Sequence, residues 1–330
     1  MTAIRVAVID DWQGAARQVA DWSKLEHRAD VEFFHRHYGA DAEQEAVRDL
    51  KNFDILLLTR ERSRFSASLI DRLPKLKMMS LTGTRAPNVD QEACTRHGIV
   101  CTFTTGGHSP APAAEMSLAL LMAAARRIPS GDAAIRAGKF QEGIAPGINL
   151  EGRTLGIVGL GRIGAYMARY GQAIGMRVIA WSPNLTAEKA KAAGAERVEK
   201  DELFAEADAV TIHLVLGPRS RGLVGAAELG RMKKGAILVN TSRGPIVDEK
   251  ALIAALRQGR IFAALDVYDT EPLPSDNPFR DLPNTVLTPH VGFTTVEGLG
   301  DFYTRAIGNI LAFLDGHPTN VANPESIVKK

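Results

Sequence analysis

Short apolar runs alternate with amphipathic, helix-like segments along most of the chain. In the first hundred residues, five runs predict β-strands: Ile4–Ile9, Val31–Phe34, Asp54–Thr59, Lys77–Thr82 and Ile99–Phe103. Strands that alternate with helical segments of about 10–15 residues indicate βαβ units. The pattern therefore predicts a parallel sheet with helices on its faces.

A second series of apolar runs extends from Thr154 to His290. We predict six strands there, each ending at a glycine, a charged residue or a titratable group. These ends fall near Gly159, Ser182, Leu214, Arg243, Asp266 and His290. Ligands of an open parallel sheet bind outside the carboxyl ends of its strands. We therefore expect an active site along this edge.

A GxGxxG motif follows the first of these strands, Thr154–Val158, and opens a helix. The first glycine allows a tight turn, the second admits a pyrophosphate against the backbone, and the third lets the helix pack closely on the strand. The helix N-terminus favours the anionic phosphates. The motif predicts a dinucleotide cofactor, NAD(H) or NADP(H), and its expected contacts are Gly159, Gly161, Arg162, Ile163 and Gly164.

Ser182 ends the predicted strand Arg177–Trp181, where dinucleotide-binding domains place an acidic residue on the ribose hydroxyls. A serine does not repel the 2′-phosphate of NADP, and neither Pro183 nor Asn184 attracts it. We therefore expect Ser182 to lie against the adenosine ribose. The choice between the two coenzymes stays open.

The length of 330 residues exceeds one ordinary core, so two domains are expected. No strand pattern follows His290, and a last helix near Gly300–Leu314 would return to the N-terminal domain. We predict an α/β fold with two Rossmann/flavodoxin-like parallel-sheet domains. In this arrangement the NAD(P)-binding domain (105–294) is inserted into the substrate domain (1–104 and 295–330).

Three side chains near strand ends suit the reduction of a carbonyl group beside a carboxylate. Arg243 carries a permanent charge that can hold a carboxylate bidentately or polarise a carbonyl oxygen. His290, at the end of the predicted strand Val286–His290, can donate or accept a proton near neutral pH. A hydrogen bond from His290 to Glu271 would orient the imidazole and favour its protonated form.

Two further residues are predicted to contact the cofactor. Thr241 belongs to the same turn as Arg243, and Asp266 ends the preceding apolar strand in the sheet. Asp266 would meet the nicotinamide or its ribose. The alternative is that its carboxylate only caps the end of the strand.

In order along the chain, these motifs resemble the D-isomer-specific 2-hydroxyacid dehydrogenases. The resemblance rests on the Gly159–Gly164 loop and on NTSRGPIVDEKAL, LDVYDTEPLP and LTPHVG, and it extends to DILLLTR, LTGTRAPNVD, PAAEMSLALLMAAAR and FLDGHP. It implies Arg243, Glu271 and His290 as the catalytic set. It also implies the split-domain arrangement and a homodimer built through the inserted domain.

The resemblance further implies that backbone amides after the fourth strand hold the substrate carboxylate, at Thr82, Gly83 and Thr84. Many family members have GxGxDNID here, whereas this chain has GTRAPNVD, so that Arg85 replaces a small residue. Arg85 faces either the substrate or the solvent, and Arg60 is expected in the same pocket. The chain has Val215-Leu-Gly where many family members have a proline. The backbone contact to the adenosine side of the cofactor is therefore not defined by the resemblance.

The expected reaction transfers hydride between NAD(P)H and C2 of a small 2-oxo acid or D-2-hydroxy acid. Two alternatives stay open. One is a formate- or phosphite-type dehydrogenase on the same scaffold. The other is an NAD(H)-sensing, corepressor-like binding protein, since such proteins can retain the same three residues.

The composition excludes several other partners. Lys and Arg number 40 against 38 Asp and Glu, so no basic field predicts nucleic acid or an anionic membrane. The most apolar stretch, near Met116–Ala125, has ten residues, whereas a membrane span needs about 20. Cys94 and Cys101 form no CxxC motif, no metal-ligand pattern is seen, and the N-terminus reads as a strand rather than a signal peptide. We expect a cytoplasmic enzyme without a metal.

Overall fold

The computed structural model describes residues 3–104 and 109–327 and divides the chain into two compact units. The first unit comprises residues 1–108 and 295–330, and the second comprises residues 109–294. Each unit contains one parallel sheet, so the predicted α/β class with two parallel-sheet domains is confirmed. Which unit binds the substrate stays a prediction.

The first unit is a five-stranded sheet with the order β2-β1-β3-β4-β5. This is the flavodoxin-like order of a doubly wound fold. Its central strands are buried along their whole length because helices cover both faces. Its elements are β1 (Ile4–Ile9), α1 (Ala16–Val19), β2 (Ala29–Phe33), α2 (Glu43–Leu50), β3 (Ile55–Leu58), α3 (Ala67–Ile70), β4 (Met78–Leu81), α4 (Gln91–Arg96) and β5 (Val100–Phe103).

The second unit begins with two helices, α5 (Ala111–Arg126) and α6 (Ile128–Arg136), and continues as a doubly wound sheet. Its elements are β6 (Thr154–Val158), α7 (Arg162–Ala173), β7 (Arg177–Trp181), α8 (Ala187–Ala192), β8 (Glu196–Arg197), α9 (Lys200–Glu206), β9 (Ala209–Ile212), α10 (Ala226–Arg231), β10 (Ile237–Asn240), α11 (Glu249–Arg257), β11 (Phe262–Leu265) and β12 (Thr285–Leu287). The strand order is β12-β11-β10-β9-β6-β7-β8. The order reverses between β6 and β9, which is the switch point where such sheets bind dinucleotides.

The structure corrects the sequence prediction for this sheet in two places. It has seven strands rather than six, because Glu196–Arg197 forms a short, exposed edge strand without an apolar run. Strand β12 ends at Leu287, so His290 lies in a turn beyond the strand rather than at its last position. Pro289 has no N–H group for the sheet, which explains why the ladder stops before it.

The C-terminal helix α12 (Val296–Leu314) packs on α1 and β4 of the first unit. It begins four residues before the predicted start, because the Thr295 side chain accepts a hydrogen bond from the Gly298 amide and caps it. The segment after α12 then pairs with β5, which is an edge strand of its sheet. Val321 bridges Thr102 in antiparallel fashion, and the Ala322 amide donates to the Cys101 carbonyl at 2.7 Å.

Asn323 fixes this segment by a second set of hydrogen bonds. Its side-chain oxygen accepts from the Cys101 amide at 2.8 Å, and its amide nitrogen donates to the Ile99 carbonyl at 2.9 Å. The C-terminal segment therefore satisfies backbone groups that the edge of the sheet would otherwise leave unpaired. Within residues 3–104 and 109–327, the structure contains no helix with the length and apolar character of a membrane span.

Candidate active site

The glycines between β6 and α7 are required by close approaches. Gly159 has φ of +103°, and a Cβ there would lie 2.8 Å from the His213 carbonyl group. A Cβ at Gly164 would overlap the Gly159 carbonyl oxygen. A Cβ at Gly161 would meet no protein atom within 4 Å, so this position borders open space. The first and third glycines thus shape the loop, and the second keeps its outer face clear.

This loop fits the pyrophosphate of a dinucleotide. Gly161 is the N-cap of α7, and no side chain caps the helix there. The N-terminal N–H groups and the dipole of a helix favour an anion at this point. Arg162 is exposed and Ile163 is half-buried in the first turn, beside the open face of Gly161.

Ser182 lies directly beside the glycine loop, at the end of β7. Its Oγ accepts a hydrogen bond from the Leu160 amide at 2.9 Å. The hydroxyl proton can still donate, because one oxygen both accepts and donates. Pro183 and Asn184 are exposed and carry no charge.

His213 supports the loop rather than supplying a proton. Its ring Nε2 lies 2.8 Å from the Thr211 hydroxyl, and burial lowers the pKa of His213 to about 3. The imidazole is therefore neutral at physiological pH. His213 is therefore a structural neighbour of the nucleotide loop.

His290 and Glu271 form a hydrogen-bonded pair, with His290 Nδ1 2.6 Å from Glu271 Oε2. The other carboxylate oxygen, Oε1, accepts from the Tyr268 amide at 2.9 Å. Burial alone raises the pKa of Glu271, but the hydrogen bond and charge of His290, the Tyr268 amide and the charge of Arg243 together lower it below its ordinary value. The ionised carboxylate therefore accepts the Nδ1 proton, which leaves Nε2 for a substrate.

Asp266 holds the turn that contains His290. Its Oδ1 accepts from the Thr288 hydroxyl at 2.5 Å and from the Val291 amide at 2.9 Å, and its Oδ2 accepts from the Gly292 amide at 2.8 Å. The carboxylate is buried, with 1% of the residue exposed, and burial raises its pKa more than these bonds lower it. His290 itself has φ of +54°, a conformation that costs a non-glycine residue about 1–3 kcal/mol. Asp266 thus holds in place a turn that is not intrinsically favourable.

The side chain of Asn240, the last residue of β10, fixes the backbone of the Arg243 turn by two hydrogen bonds. Asn240 donates to the Arg243 carbonyl and accepts from the Ser242 amide, both at 3.0 Å. The adjacent Gly244 has no room for a side chain, because its Cβ would overlap the Tyr268 carbonyl group. This close approach brings the Arg243 turn against the loop that carries Glu271.

The remaining predicted residues have the following positions. The Thr241 hydroxyl lies 2.6 Å from the hydroxyl of Ser117 on α5, and both belong to the second unit. Thr241 therefore lies in the second unit. The same unit contains the nucleotide loop and Arg243, Glu271 and His290. Asn240, Gly244 and Tyr268 were missed as contributors. A glycine directly after a candidate catalytic arginine was the signal for Gly244.

The candidate substrate residues lie in the first unit, after β3 and β4. The Thr82 hydroxyl accepts from the Arg60 amide at 2.7 Å, and Arg60 has φ of +65°. The Thr82 amide donates to the Leu58 carbonyl, and the Gly83 amide to the Thr104 hydroxyl. Thr84 and Arg85 are exposed. In the two described ranges, no group of three or more His, Cys, Asp or Glu side chains could hold a metal ion.

Sequence comparison places these features in one family. A family model described as D-isomer specific 2-hydroxyacid dehydrogenase, NAD binding domain, matches residues 118–292, more than half of the chain. Glyoxylate reductase of Aeropyrum pernix is 41% identical over 280 residues, which are 82% of this chain and 83% of that protein. D-3-phosphoglycerate dehydrogenase of Methanocaldococcus jannaschii is 38% identical over 271 residues, 82% of this chain and 50% of that protein. The chain spans about half the length of such phosphoglycerate dehydrogenases.

Solved structures agree with the sequence relatives. A phosphoglycerate oxidoreductase from Vibrio cholerae superposes with a TM-score of 0.89 at 34% identity, covering 95% of this chain and 99% of that one. D-lactate dehydrogenase of Escherichia coli gives a TM-score of 0.81 at 27% identity, covering 97% and 100%. The chain belongs to the D-isomer specific 2-hydroxyacid dehydrogenase family, and residues 118–292 correspond to its NAD-binding domain. The predicted resemblance and the NAD cofactor are thereby confirmed.

The close approach at Gly244 yields a prediction. In Gly244→Ala, the new methyl group must displace the Tyr268–Asp269 backbone, since a Cβ would lie 2.5 Å from the Asp269 amide nitrogen. Overpacking of this kind costs about 1–3 kcal/mol, and here it also moves Glu271. We expect a lower midpoint in urea unfolding and a loss of the activity proposed below. Gly230→Ala, on α10 with open space around its Cβ, is the matched control and should be neutral or stabilising. Equal stability and activity in both variants would contradict the assignment.

Proposed function

We propose that this protein is an NAD(P)-dependent dehydrogenase that interconverts a small 2-oxo acid and its D-2-hydroxy acid. The observation that carries this proposal is the His290–Glu271 hydrogen bond in the NAD-binding unit, with the charge of Arg243 acting on the same carboxylate. Family membership supports the reaction class. The substrate and the role of each residue belong to the proposal.

In the proposed reaction, the reduced cofactor supplies a hydride to C2 of the oxo acid when it is bound. His290 Nε2 donates a proton to the carbonyl oxygen, which becomes the hydroxyl of the product. Glu271 stabilises the imidazolium through Nδ1 and fixes the direction of the ring. In the reverse direction, the neutral imidazole accepts the hydroxyl proton as a general base.

Arg243 is proposed to hold the substrate. Its planar guanidinium can grip the carboxylate at two points and polarise the C2 carbonyl oxygen. The Asn240 bonds and the Gly244 contact hold the backbone of this turn, so the side chain starts from a fixed base. The loop after β4 is proposed to add backbone amides. The amides of Thr82 and Gly83 are engaged within their own unit, so Thr84 and Arg85 are the better candidates.

Several relatives are named for glyoxylate, D-lactate and D-3-phosphoglycerate, which supports a small acid as substrate. The test is a panel of initial rates with glyoxylate, pyruvate, hydroxypyruvate, phenylpyruvate and 3-phosphohydroxypyruvate, each with NADH and NADPH. Formate and phosphite with NAD⁺ test the alternative on the same scaffold. NADH binding without turnover of any of these compounds would favour a sensor.

On the best oxo acid of that panel, His290→Gln should lower kcat by about 10²–10⁴-fold, because it removes the general acid. Binding of NADH should be retained. The matched control is His97→Gln, since His97 forms a similar pair with Asp71, 2.7 Å apart, in the first unit. The control should leave kcat unchanged. A kcat of His290→Gln within threefold of the wild type would end this assignment.

A homodimer is proposed from the surface of the second unit. Three large apolar side chains between residues 128 and 140 are exposed: Ile128 by 55%, Ile135 by 59% and Phe140 by 67%. Ile128 and Ile135 are seven positions apart in α6, so they lie on one face of that helix. Exposed apolar surface of this kind marks an interaction surface. Sedimentation equilibrium should give twice the chain mass of 35.6 kDa. The double variant Ile135→Glu/Phe140→Glu should dissociate, whereas Val296→Glu, at a residue exposed by 69%, should not. A monomeric wild type would refute the proposal.

The coenzyme prediction concerns Ser182. No acid repels a 2′-phosphate there and no base attracts it, so kcat/KM for NADH and NADPH should agree within about 100-fold. Ser182→Asp should favour NADH strongly, because a carboxylate accepts from the ribose hydroxyls and repels the phosphate. Thr186→Asp is the control, since it adds the same charge at the N-cap of α8. A wild type more than about a thousandfold selective would place the control of selectivity outside this turn.

A further inference from the structure

Tyr268 contacts Glu271 directly and contacts the turn of His290 at Thr288. Its backbone amide donates to Glu271 Oε1 at 2.9 Å. Its phenolic hydroxyl donates to the Thr288 carbonyl at 2.9 Å and lies 3.3 Å from the Leu265 carbonyl. One residue thus links the loop that carries Glu271 to the turn that carries His290.

The Thr288 carbonyl is the point where these bonds meet. It accepts the Tyr268 hydroxyl and also the His290 amide, at 3.1 Å. The Thr288 side chain is in turn bound to Asp266. The hydroxyl of Tyr268 therefore acts on the peptide group that orients the backbone of His290, at a residue already held with positive φ.

The side chain of Tyr268 is almost fully enclosed. The residue is 6% exposed, and its ring packs against Phe279 with centroids 6.3 Å apart. Burial, with the nearby charges of Asp266 and Glu271, raises the pKa of the phenol well above its ordinary value. The hydroxyl thus remains a donor throughout the working range. A buried donor whose acceptor lies beside the reactive histidine suits a positioning role better than a general packing role.

We infer that Tyr268 is a positioning residue, which holds the imidazole of His290 in register with Glu271 through the Thr288 carbonyl. The inference rests on the proposed function for its catalytic consequence. It adds a residue that does not touch the substrate and acts through His290. Among the described residues of the second unit, Glu271 and Asp266 interact electrostatically with His290, and Arg243 interacts with Glu271.

The test is Tyr268→Phe. This variant keeps the ring against Phe279 and the hydrogen bond from the backbone amide to Glu271, but it removes the phenolic hydroxyl. The kcat for oxo-acid reduction should fall about three- to tenfold, as expected for one neutral hydrogen bond. KM for NADH should not change. The basic limb of the pH–rate profile should move to lower pH, because a less well-placed carboxylate stabilises the imidazolium less. Glu271→Gln should move that limb further in the same direction.

Tyr38→Phe is the matched control. Tyr38 is a fully buried tyrosine of the first unit whose hydroxyl donates to Asp49 at 3.1 Å. Its loss should lower the midpoint of thermal unfolding without moving the pH–rate profile. An unshifted profile in Tyr268→Phe, or equal losses of kcat in the two tyrosine variants, would overturn the positioning role.

A second readout separates this inference from the proposed function. Spectra of ¹⁵N-histidine-labelled protein, with the His290 signal identified by its absence in His290→Gln, follow the imidazole without any substrate. The pH midpoint of that signal should fall in Tyr268→Phe and in Glu271→Gln but not in Tyr38→Phe. This result supports positioning even if no oxo acid is reduced. An unchanged midpoint in Tyr268→Phe would refute positioning even in an active enzyme.

Discussion

The register of three neighbouring parallel strands is the constraint on which the candidate site depends. Asn240 of β10 is level with Leu265 of β11, which is level with Leu287 of β12. The three segments that follow these residues therefore leave the sheet side by side. They contain Arg243, Glu271 and His290, which are 47 positions apart along the chain at most. A shift of one residue in either strand pair would turn the side chains to the opposite face and separate the group.

In the second unit, the candidate catalytic pair is partly exposed, whereas the residues that hold it are buried. His290 and Glu271 keep 29% and 32% of their side chains exposed, so both remain accessible from solvent. Asp266 and Tyr268, directly below, are almost fully buried. Hydrogen bonds in a buried, low-dielectric layer are electrostatically stronger than those in water. The accessible His290–Glu271 pair is thus oriented by hydrogen bonds that are shielded from solvent.

Much of this architecture could be predicted from the sequence, because apolar runs, glycines and strand-end charges reflect local physics. Strands β1, β6 and β7 were predicted at their observed bounds. The edge strand β8 was missed because two exposed charged residues are too few to show the alternation of apolar and polar positions that predicts a strand. The turn at His290 was missed because a side chain distant in sequence, Asp266, supplies its hydrogen bonds. The dual contact of Tyr268 likewise requires the folded sheet, since its two partners lie on different loops.

The pairing of the C-terminal segment with β5 has a consequence for the solution behaviour of the protein. Without Val321 and Asn323, β5 would present a row of unpaired N–H and C=O groups along a short, largely apolar strand. Such an edge is a template for strand addition by another chain. The segment after α12 therefore protects the first unit against aggregation, although it contains no residue of the candidate catalytic group. We therefore expect that proteolytic cleavage before residue 321 exposes β5 to strand addition by a second molecule.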